Sequence, residues 1–251
     1  MQPTRRTVLK TIGGGSAVLL AGSAPAAAGG HEAKLRVAHA SPDAPNVDIY
    51  VDGMAVIKDL PFGEVTGYLE VPADEYTIAV KPAGGDKAVF GPVDVVLEAE
   101  DYTAVALGEL DDESFTVSLL EDTNGANLDG EARVRAVHAS PDAGPVDVTV
   151  NEGALTVFDG IEFGDSPYAT VPVGQYTVEV RPDTDDGPVV DSFTLEFEEN
   201  YTYTAFAVGY VTPDDDAGDE AFMLVPTVDA TAPPRGGGKG RGRGQGRGRG
   251  P

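Results

Sequence analysis

The sequence contains one unit twice, and this repeat constrains the fold more than any other feature. Residues 37–44, VAHASPDA, return at 136–143 as AVHASPDA, an offset of 99 residues. Because further matches keep their order through both halves, we predict two copies of one domain, at 33–123 and 132–229. The joint at 124–131 is short, and we expect the domains to lie end to end. The further matches pair 47–51 with 146–150, 62–63 with 163–164, 71–82 with 171–182 and 102–108 with 203–209.

Each copy shows the two-residue alternation of β-strands. In 47–51 apolar residues alternate with Asp48 and Tyr50, and 76–80 and 176–180 alternate in the same way. No amphipathic helix is predicted in either copy. Seven or eight short strands in about 95 residues predict an all-β fold, with one immunoglobulin-like antiparallel β-sandwich per copy.

Three segments together resemble a known family. They are the His-Ala-Ser-Pro-Asp-Ala start, the Val-Asp-Ile/Val strand and the Gly-x-Tyr-Thr-Val hairpin, which is complete in the second copy. The resemblance is to the family catalogued as domain of unknown function 4397, found in exported bacterial and archaeal proteins, and it covers both copies. It implies no activity. The first copy departs at 73–75, Ala-Asp-Glu, where the second keeps Gly174, so we expect that turn to differ.

Residues 1–28 are predicted to be a twin-arginine export signal. Thr4-Arg5-Arg6 opens a basic segment that ends at Lys10, and the apolar stretch 11–24 follows. A spanning helix needs about 20 apolar residues, so this stretch is too short to be an anchor. Small residues at 26–28 suit cleavage before Gly29. We expect an exported protein without a membrane span, extracellular or associated with the cell surface.

All 42 acidic residues lie between Glu32 and Asp229, a region that holds only eight of the 17 basic residues. Eight positive and 42 negative charges give this acidic body a formal charge of −34, against −25 for the whole chain. Such charge repels itself in dilute buffer, whereas molar salt shortens the Debye length to about 3 Å. The even spread of the acids favours adaptation to high salt, of the haloarchaeal type. An ordinary acidic surface that binds Ca²⁺ is the alternative.

The repeated motif supplies the main candidates for chemistry. Strand alternation places the imidazoles of His39 and His138 facing inward, where each can bond the backbone or the next Asp of its turn, with the intervening serine bonding locally. The alternative is one metal site per repeat, since His–carboxylate sets suit Zn²⁺, although they usually contain more than one His. The candidate ligands are His39, Asp43 and Asp48 in the first copy and His138, Asp142 and Asp147 in the second.

Other residues of interest have plainer interpretations. Tyr76 and Tyr176 each precede an alternating strand, which predicts sandwich-corner tyrosines whose hydroxyls bond backbone. Acidic loops at 111–113, 183–187 and 214–216 lack the closing Glu of a calcium loop, and we interpret them as solvated. Without cysteine, the chain excludes disulfides and Cys-ligated metals.

Residues 233–251 are predicted to be a disordered Gly/Arg-rich tail with six cations. Export separates this tail from nucleic acid, and phosphate contacts weaken steeply as salt rises. We expect acidic cell-envelope proteins or glycans as partners, with the tail as a tether. A solvated tail without a partner is the alternative.

The spacing of residues supports no acid–base pair, activated nucleophile, phosphate loop or dinucleotide motif. We therefore predict no enzyme and no cofactor. The favoured hypothesis is an exported, non-enzymatic cell-surface or extracellular interaction or structural module, adapted to high salt. The alternative is a ligand- or metal-binding protein with one equivalent site per repeat around the His-Ala-Ser-Pro-Asp motif.

Overall fold

The alternating segments form β-strands throughout the part of the chain that can be described. A computed structural model describes residues 32–124, 130–183, 187–213 and 220–231 of the 251, and these contain strands, turns and no helix. The predicted signal segment 1–28 and tail 233–251 lie outside the described residues. Over the same four described ranges, no helix reaches the length and apolarity needed to cross a membrane.

Eight strands make up repeat 1. They are β1 (Glu32–His39), β2 (Val47–Val51), β3 (Met54–Leu60), β4 (Leu69–Pro72), β5 (Glu75–Pro82), β6 (Phe90–Val96), β7 (Asp101–Leu107) and β8 (Thr116–Asp122).

Repeat 2 has the same strand sequence. Its strands are β9 (Glu131–Ala139), β10 (Val146–Val150), β11 (Leu155–Ile161), β12 (Tyr168–Pro172), β13 (Gly174–Pro182), β14 (Asp191–Phe197), β15 (Tyr201–Val208) and β16 (Met223–Thr231).

Each repeat is a sandwich of two four-stranded sheets, which confirms the predicted fold class. The outer sheets have the orders β3-β2-β5-β6 and β11-β10-β13-β14, and the inner sheets β4-β1-β7-β8 and β12-β9-β15-β16. The pairing departs from the antiparallel prediction at one place per repeat, because β1 runs parallel to β7 and β9 runs parallel to β15. The first strand of each repeat is thereby held between two neighbours in the inner sheet.

The predicted alternation fills the sandwich cores. Val47 and Ile49 of β2 are buried with Val80 of β5 and with Val37 of β1, between the two sheets of repeat 1. The corner tyrosines are also as predicted, since Tyr76 and Tyr176 each donate a hydroxyl hydrogen bond to the carbonyl oxygen of the proline four residues earlier, at 2.7 and 3.1 Å.

The two inner sheets pack face to face, so the prediction that the sandwiches lie end to end is wrong. A shared core joins Val105 and Leu107 of repeat 1 to Val137, Phe206 and Val208 of repeat 2, all 4% exposed or less. The short joint limits the distance between the repeats and leaves their orientation open. Their orientation follows from the inner sheets, which carry buried apolar side chains on both faces and must bury the second face against another layer.

Candidate functional site

The His-Ala-Ser-Pro-Asp turns leave the ends of β1 and β9 with their imidazoles buried. His39 and His138 are each 1% exposed, and each ring lies edge-on to a phenylalanine, Phe62 or Phe163, with centroids 6.3 and 6.1 Å apart. Each Nε2 lies 3.1 Å from a backbone carbonyl oxygen of the same turn. A carbonyl oxygen only accepts, so Nε2 carries the proton in both rings. The imidazoles thus tie the turn to the strand end, as the structural interpretation predicted.

Burial favours the neutral form of both rings. It lowers the pKa of His39, against the smaller raising effects of the Pro45 carbonyl and the Asp43 carboxylate. Burial lowers the pKa of His138 in the same way, against its contact with the Gly144 carbonyl. Nδ1 of His138 accepts a long hydrogen bond of 3.4 Å from the amide of Ser140. Nδ1 of His39 is buried and has no hydrogen-bond partner among the residues that the structure describes.

The aspartates of the two motifs bind backbone rather than imidazole. Asp43 accepts from the amide of Asp111 at 2.9 Å. Asp142 accepts from the amides of Val211 and Thr212, both at 2.8 Å. Partial burial alone would raise the pKa of Asp142, but these amide hydrogen bonds outweigh it and the pKa is lowered. Each motif aspartate therefore connects its own turn to the loop that follows β7 or β15 in the same repeat.

A hydrogen bond between repeats brings both motif turns to the same end of the molecule. The hydroxyl of Tyr210 donates to Oε1 of Glu109 at 2.7 Å. Glu109 lies two residues before the amide that binds Asp43, and Tyr210 lies one residue before the amide that binds Asp142. We call the surface formed by the two motif turns and by the loops that contain Glu109 and Tyr210 the motif end. It is acidic, and burial together with the Glu109 carboxylate raises the pKa of Tyr210.

The remaining predicted ligands, Asp48 and Asp147, lie on the outer sheets and bond backbone there. Asp48 accepts from the amide of Asp59 at 2.9 Å, and Asp147 accepts from the amide of Gly160 at 2.8 Å. Across the described ranges, the set of three possible ligand atoms within 4.8 Å of one another comes from Asp147, Asp159 and Asp183. Neither predicted His–Asp–Asp set is such a group.

A buried ionic network occupies the contact between the inner sheets. Nη1 of Arg36 lies 2.6 Å from Oδ1 of Asp229, and Nη1 of Arg135 lies 2.7 Å from Oδ1 of Asp122. Each arginine therefore pairs with an aspartate of the other repeat. All four side chains are 2% exposed or less.

Threonines and tyrosines complete this network. Thr103 Oγ1 accepts from Nε of Arg36 at 2.8 Å and from Nη2 of Arg135 at 3.2 Å, while donating to Asp122 at 2.6 Å. The Tyr68 hydroxyl also donates to Asp122. Burial alone would lower the pKa of Arg36, but the nearby Asp229 carboxylate outweighs it and the pKa is raised. Buried charges are tolerated only when paired and hydrogen-bonded in this way.

An apolar cavity of about 140 Å³ lies between the two sheets of repeat 2. Its wall is formed by aliphatic and aromatic side chains of both sheets, among them Val134, Val148, Val178 and Phe197. The space is partly open to the surface rather than a sealed void.

The family model described as a domain of unknown function, DUF4397, matches residues 33–149 and again residues 135–241. This chain belongs to the DUF4397 family. The two matched ranges overlap at 135–149, which contains the second motif and most of strand β10, and together they include every strand of both repeats apart from Glu32, the first residue of β1. No curated protein matches the chain.

Solved structures resemble this DUF4397 pair only distantly. The Bacillus anthracis TIE protein is 11% identical with a TM-score of 0.25, and the match covers 72% of this chain and 34% of that one. CBMbc of family CBM26 from Eubacterium rectale Amy13K, solved with maltoheptaose, is 15% identical with a TM-score of 0.24. That match covers 72% of this chain and 98% of CBMbc. An alpha-glucan-binding streptococcal virulence factor is 11% identical with a TM-score of 0.25, and the match covers 69% of this chain and 91% of that one. The chain thus spans about a third of the first of these proteins and nearly the whole of the other two.

The ionic network of this DUF4397 pair was missed by the sequence reasoning, although the sequence held a signal for it. Arg36 and Arg135 are two of only eight basic residues in the acidic body, and they occupy equivalent positions 99 residues apart in apolar strands. Their aspartates, Asp122 and Asp229, are offset by 107 residues, mainly because the loop before β16 is longer than the loop before β8 and partly because of insertions earlier in repeat 2. Comparing basic residues between repeats would have found the arginines.

Proposed function

We propose that this protein is an exported, non-enzymatic interaction module of the cell surface or extracellular space, adapted to high salt. In this module the motif end is the surface that meets a partner. One observation carries the proposal: the Tyr210–Glu109 hydrogen bond and the ionic network hold the two repeats so that both motif turns share one end. The two copies of the motif are then held together on one surface of a rigid scaffold.

The hydrogen bonds of the motif support a role in fixing the shape of surface loops that meet a partner. Both imidazole Nε2 atoms and both motif carboxylates are engaged by backbone groups of the turns. A catalytic His must be free to exchange a proton with a substrate, whereas the Nε2–H of each ring is already donated to a backbone carbonyl. These groups fix loop shape instead, and the loops carry exposed acidic side chains such as Asp111 and Glu162 outward.

Charge reversal tests the proposal. We expect the double variant Asp111→Lys with Glu162→Lys to lose binding to an isolated envelope fraction, because both side chains are exposed in loops at the motif end. The matched control reverses Glu100 and Glu199, which are exposed in turns at the opposite ends of β7 and β15. Equal binding by both double variants would contradict the motif end as the contact surface.

The cationic tail is proposed to add a tether to acidic envelope proteins or glycans. Deleting residues 235–251 removes six positive charges and none of the described strands. We expect the truncated protein to melt at the same temperature as the full chain and to move from the envelope fraction into the medium. Unchanged retention would contradict the tether.

The alternative proposal is one metal or ligand site per repeat at the motif. It has one observation in its favour, the buried Nδ1 of His39, for which the described part of the chain supplies no hydrogen-bond partner. Metal content, measured on full-length protein purified in molar salt, separates the two proposals. About two ions per chain, lost in the His39→Ala/His138→Ala variant, would favour the metal site.

A further inference from the structure

We propose that the cavity between the sheets of repeat 2 is a binding site for one small hydrocarbon group, either a free apolar molecule or the end of a lipid chain. The cavity lies inside one sandwich, and the motif end lies on the loops at its edge. The inference does not rest on the proposed interaction function, and each can fail without the other.

The wall chemistry selects an uncharged, apolar occupant. Three residues with polar side chains border the cavity, and the structure gives each a partner outside it. His138 pairs through Nε2 with the Gly144 carbonyl, Tyr176 donates to the Pro172 carbonyl, and the Arg135 guanidinium lies in the contact between repeats. A water molecule needs two to four polar partners to be held in an interior, so a site with such a wall stays dry.

The size of the cavity fits a hydrocarbon group. An engineered protein cavity of about 150 Å³, lined by Leu, Ile and Phe, remains free of water and binds benzene or xenon. The cavity of repeat 2 has about 140 Å³ and a wall of the same residue types together with Val and Ala. A ring of six carbons, or the last few carbons of an acyl chain, matches this volume.

The cavity also has an entrance. Of its wall residues, Leu155 and Pro172 are exposed, Leu155 by 59%. Leu155 begins edge strand β11, and Pro172 ends edge strand β12 in the opposite sheet. A ligand can therefore enter between the two edge strands, and a lipid chain could leave its polar head outside at this point.

Comparison with repeat 1 shows which side chains of the cavity wall differ in size between the repeats. Four wall positions are smaller in repeat 2 than their strand-register equivalents: Val134 for Leu35, Ala136 for Val37, Val148 for Ile49 and Val178 for Ile78. Four other wall residues are larger, Phe158 for Ile57, Leu195 for Val95, Phe197 for Leu97 and Leu224 for Val117, and the cavity persists beside them. The four small side chains can be exchanged for those that the same fold already accommodates in repeat 1.

The test uses the full chain with ¹³C-labelled Val and Leu methyl groups, titrated with benzene in one arm and octanoate in the other. We expect saturable shifts in the methyl groups of the wall. Binding by benzene alone assigns the site to free apolar molecules, and octanoate binding with its chain inside assigns it to lipid chain ends. The fourfold variant Val134→Leu, Ala136→Val, Val148→Ile and Val178→Ile should bind at least about tenfold more weakly.

The matched control is Val189→Ile, which adds a methylene at an exposed position outside the cavity and should leave the affinity unchanged. If the fourfold variant does not fold, Val178→Ile alone carries the comparison and should still weaken binding. Absence of saturable shifts with both probes, or equal affinity in the wild-type and filled proteins, would overturn the proposal.

Discussion

Arg135 of repeat 2 reaches across the contact between repeats and places Nη1 2.7 Å from Oδ1 of Asp122 in repeat 1, with both side chains fully buried. Arg36 makes the reciprocal contact with Asp229. Separating the repeats would expose an apolar core and break both ion pairs that join the repeats. The two sandwiches are therefore expected to unfold as one cooperative unit, although each has its own core.

Removing one partner of this ion pair should be among the most damaging single changes to the chain. We expect Asp122→Ala to lower the free energy of unfolding by about 3–5 kcal/mol, because it leaves Arg135 charged and buried without a counterion. The control is Lys34→Ala, which removes a pair with Asp101 whose lysine side chain is 47% exposed and should cost less than about 1 kcal/mol. Denaturant titration in molar salt measures both. Equal losses of unfolding free energy in the two variants would contradict the conclusion that burial makes the Arg135–Asp122 pair important.

The buried histidines predict a specific pH dependence. Burial lowers the pKa of His39 and His138, so below the unfolded value of about 6.5 the unfolded chain binds more protons than the folded chain. Their contribution is therefore complete above that pH and is lost as pH falls towards the folded pKa values. The carboxylate of Asp142, whose pKa is lowered, loses its contribution only at more acidic pH.

The double variant His39→Gln/His138→Gln should flatten stability between pH 7 and 5, since neither of the two buried imidazoles remains to be protonated on unfolding. Each single His→Ala change should cost about 1–3 kcal/mol by leaving a buried carbonyl without its donor. Unfolding followed in molar salt, where carboxylate repulsion is screened, isolates the effect. An unchanged pH slope in the double variant would show that other groups govern it.

Two equivalent glycines close the strands beside the motif turns. Gly209 has a φ of +85°, and a Cβ there would lie 2.5 Å from the Glu220 carbonyl oxygen; Gly108 has a φ of +84° and an equally close contact with Ser114. Gly209→Ala should therefore cost at least about 2 kcal/mol. The control Gly67→Ala, with open space and no positive φ, should be nearly neutral. Thermal melting compares the two, and similar losses would argue against the contact.

The charge of −34 on the acidic body predicts a strong salt dependence. At about 0.01 M salt the Debye length is near 30 Å and repulsion is barely screened, whereas molar salt removes it. The melting temperature should rise steeply with KCl. In dilute buffer, acidification towards the pI of about 4.2 should partly restore folding as carboxylates take up protons, once the opposing histidine effect is passed. A melting temperature independent of salt would contradict adaptation to high salt.

The sequence predicted local structure well because one face of each strand is apolar. Alternation placed Val47, Ile49 and His39 inward and located the corner tyrosines Tyr76 and Tyr176, and these features depend on neighbours in the chain. The packing of the repeats could not be read in this way. It depends on Arg36, a charged residue that the general preference for exposed charges would place in solvent.

The cavity was equally beyond sequence reasoning. Val148 and Val178 are ordinary core residues, and each alone predicts a packed sandwich. The wall differs from repeat 1 by smaller side chains at some positions and larger ones at others, and these differences become visible only when the strand register pairs the equivalent positions. Prediction from sequence thus succeeded for elements and failed where several distant residues act together.

The exchange of counterions between repeats has a consequence for how such a chain can arise. A face that offers one arginine and one aspartate, each placed to meet its opposite on an identical face, is self-complementary, which is the defining property of an isologous dimer contact. A gene that encoded a single repeat with this face would already specify the association of two separate copies. Fusion in tandem would then replace an equilibrium that depends on concentration with a permanent one, and would free the two halves to diverge inside while their shared face stayed the same.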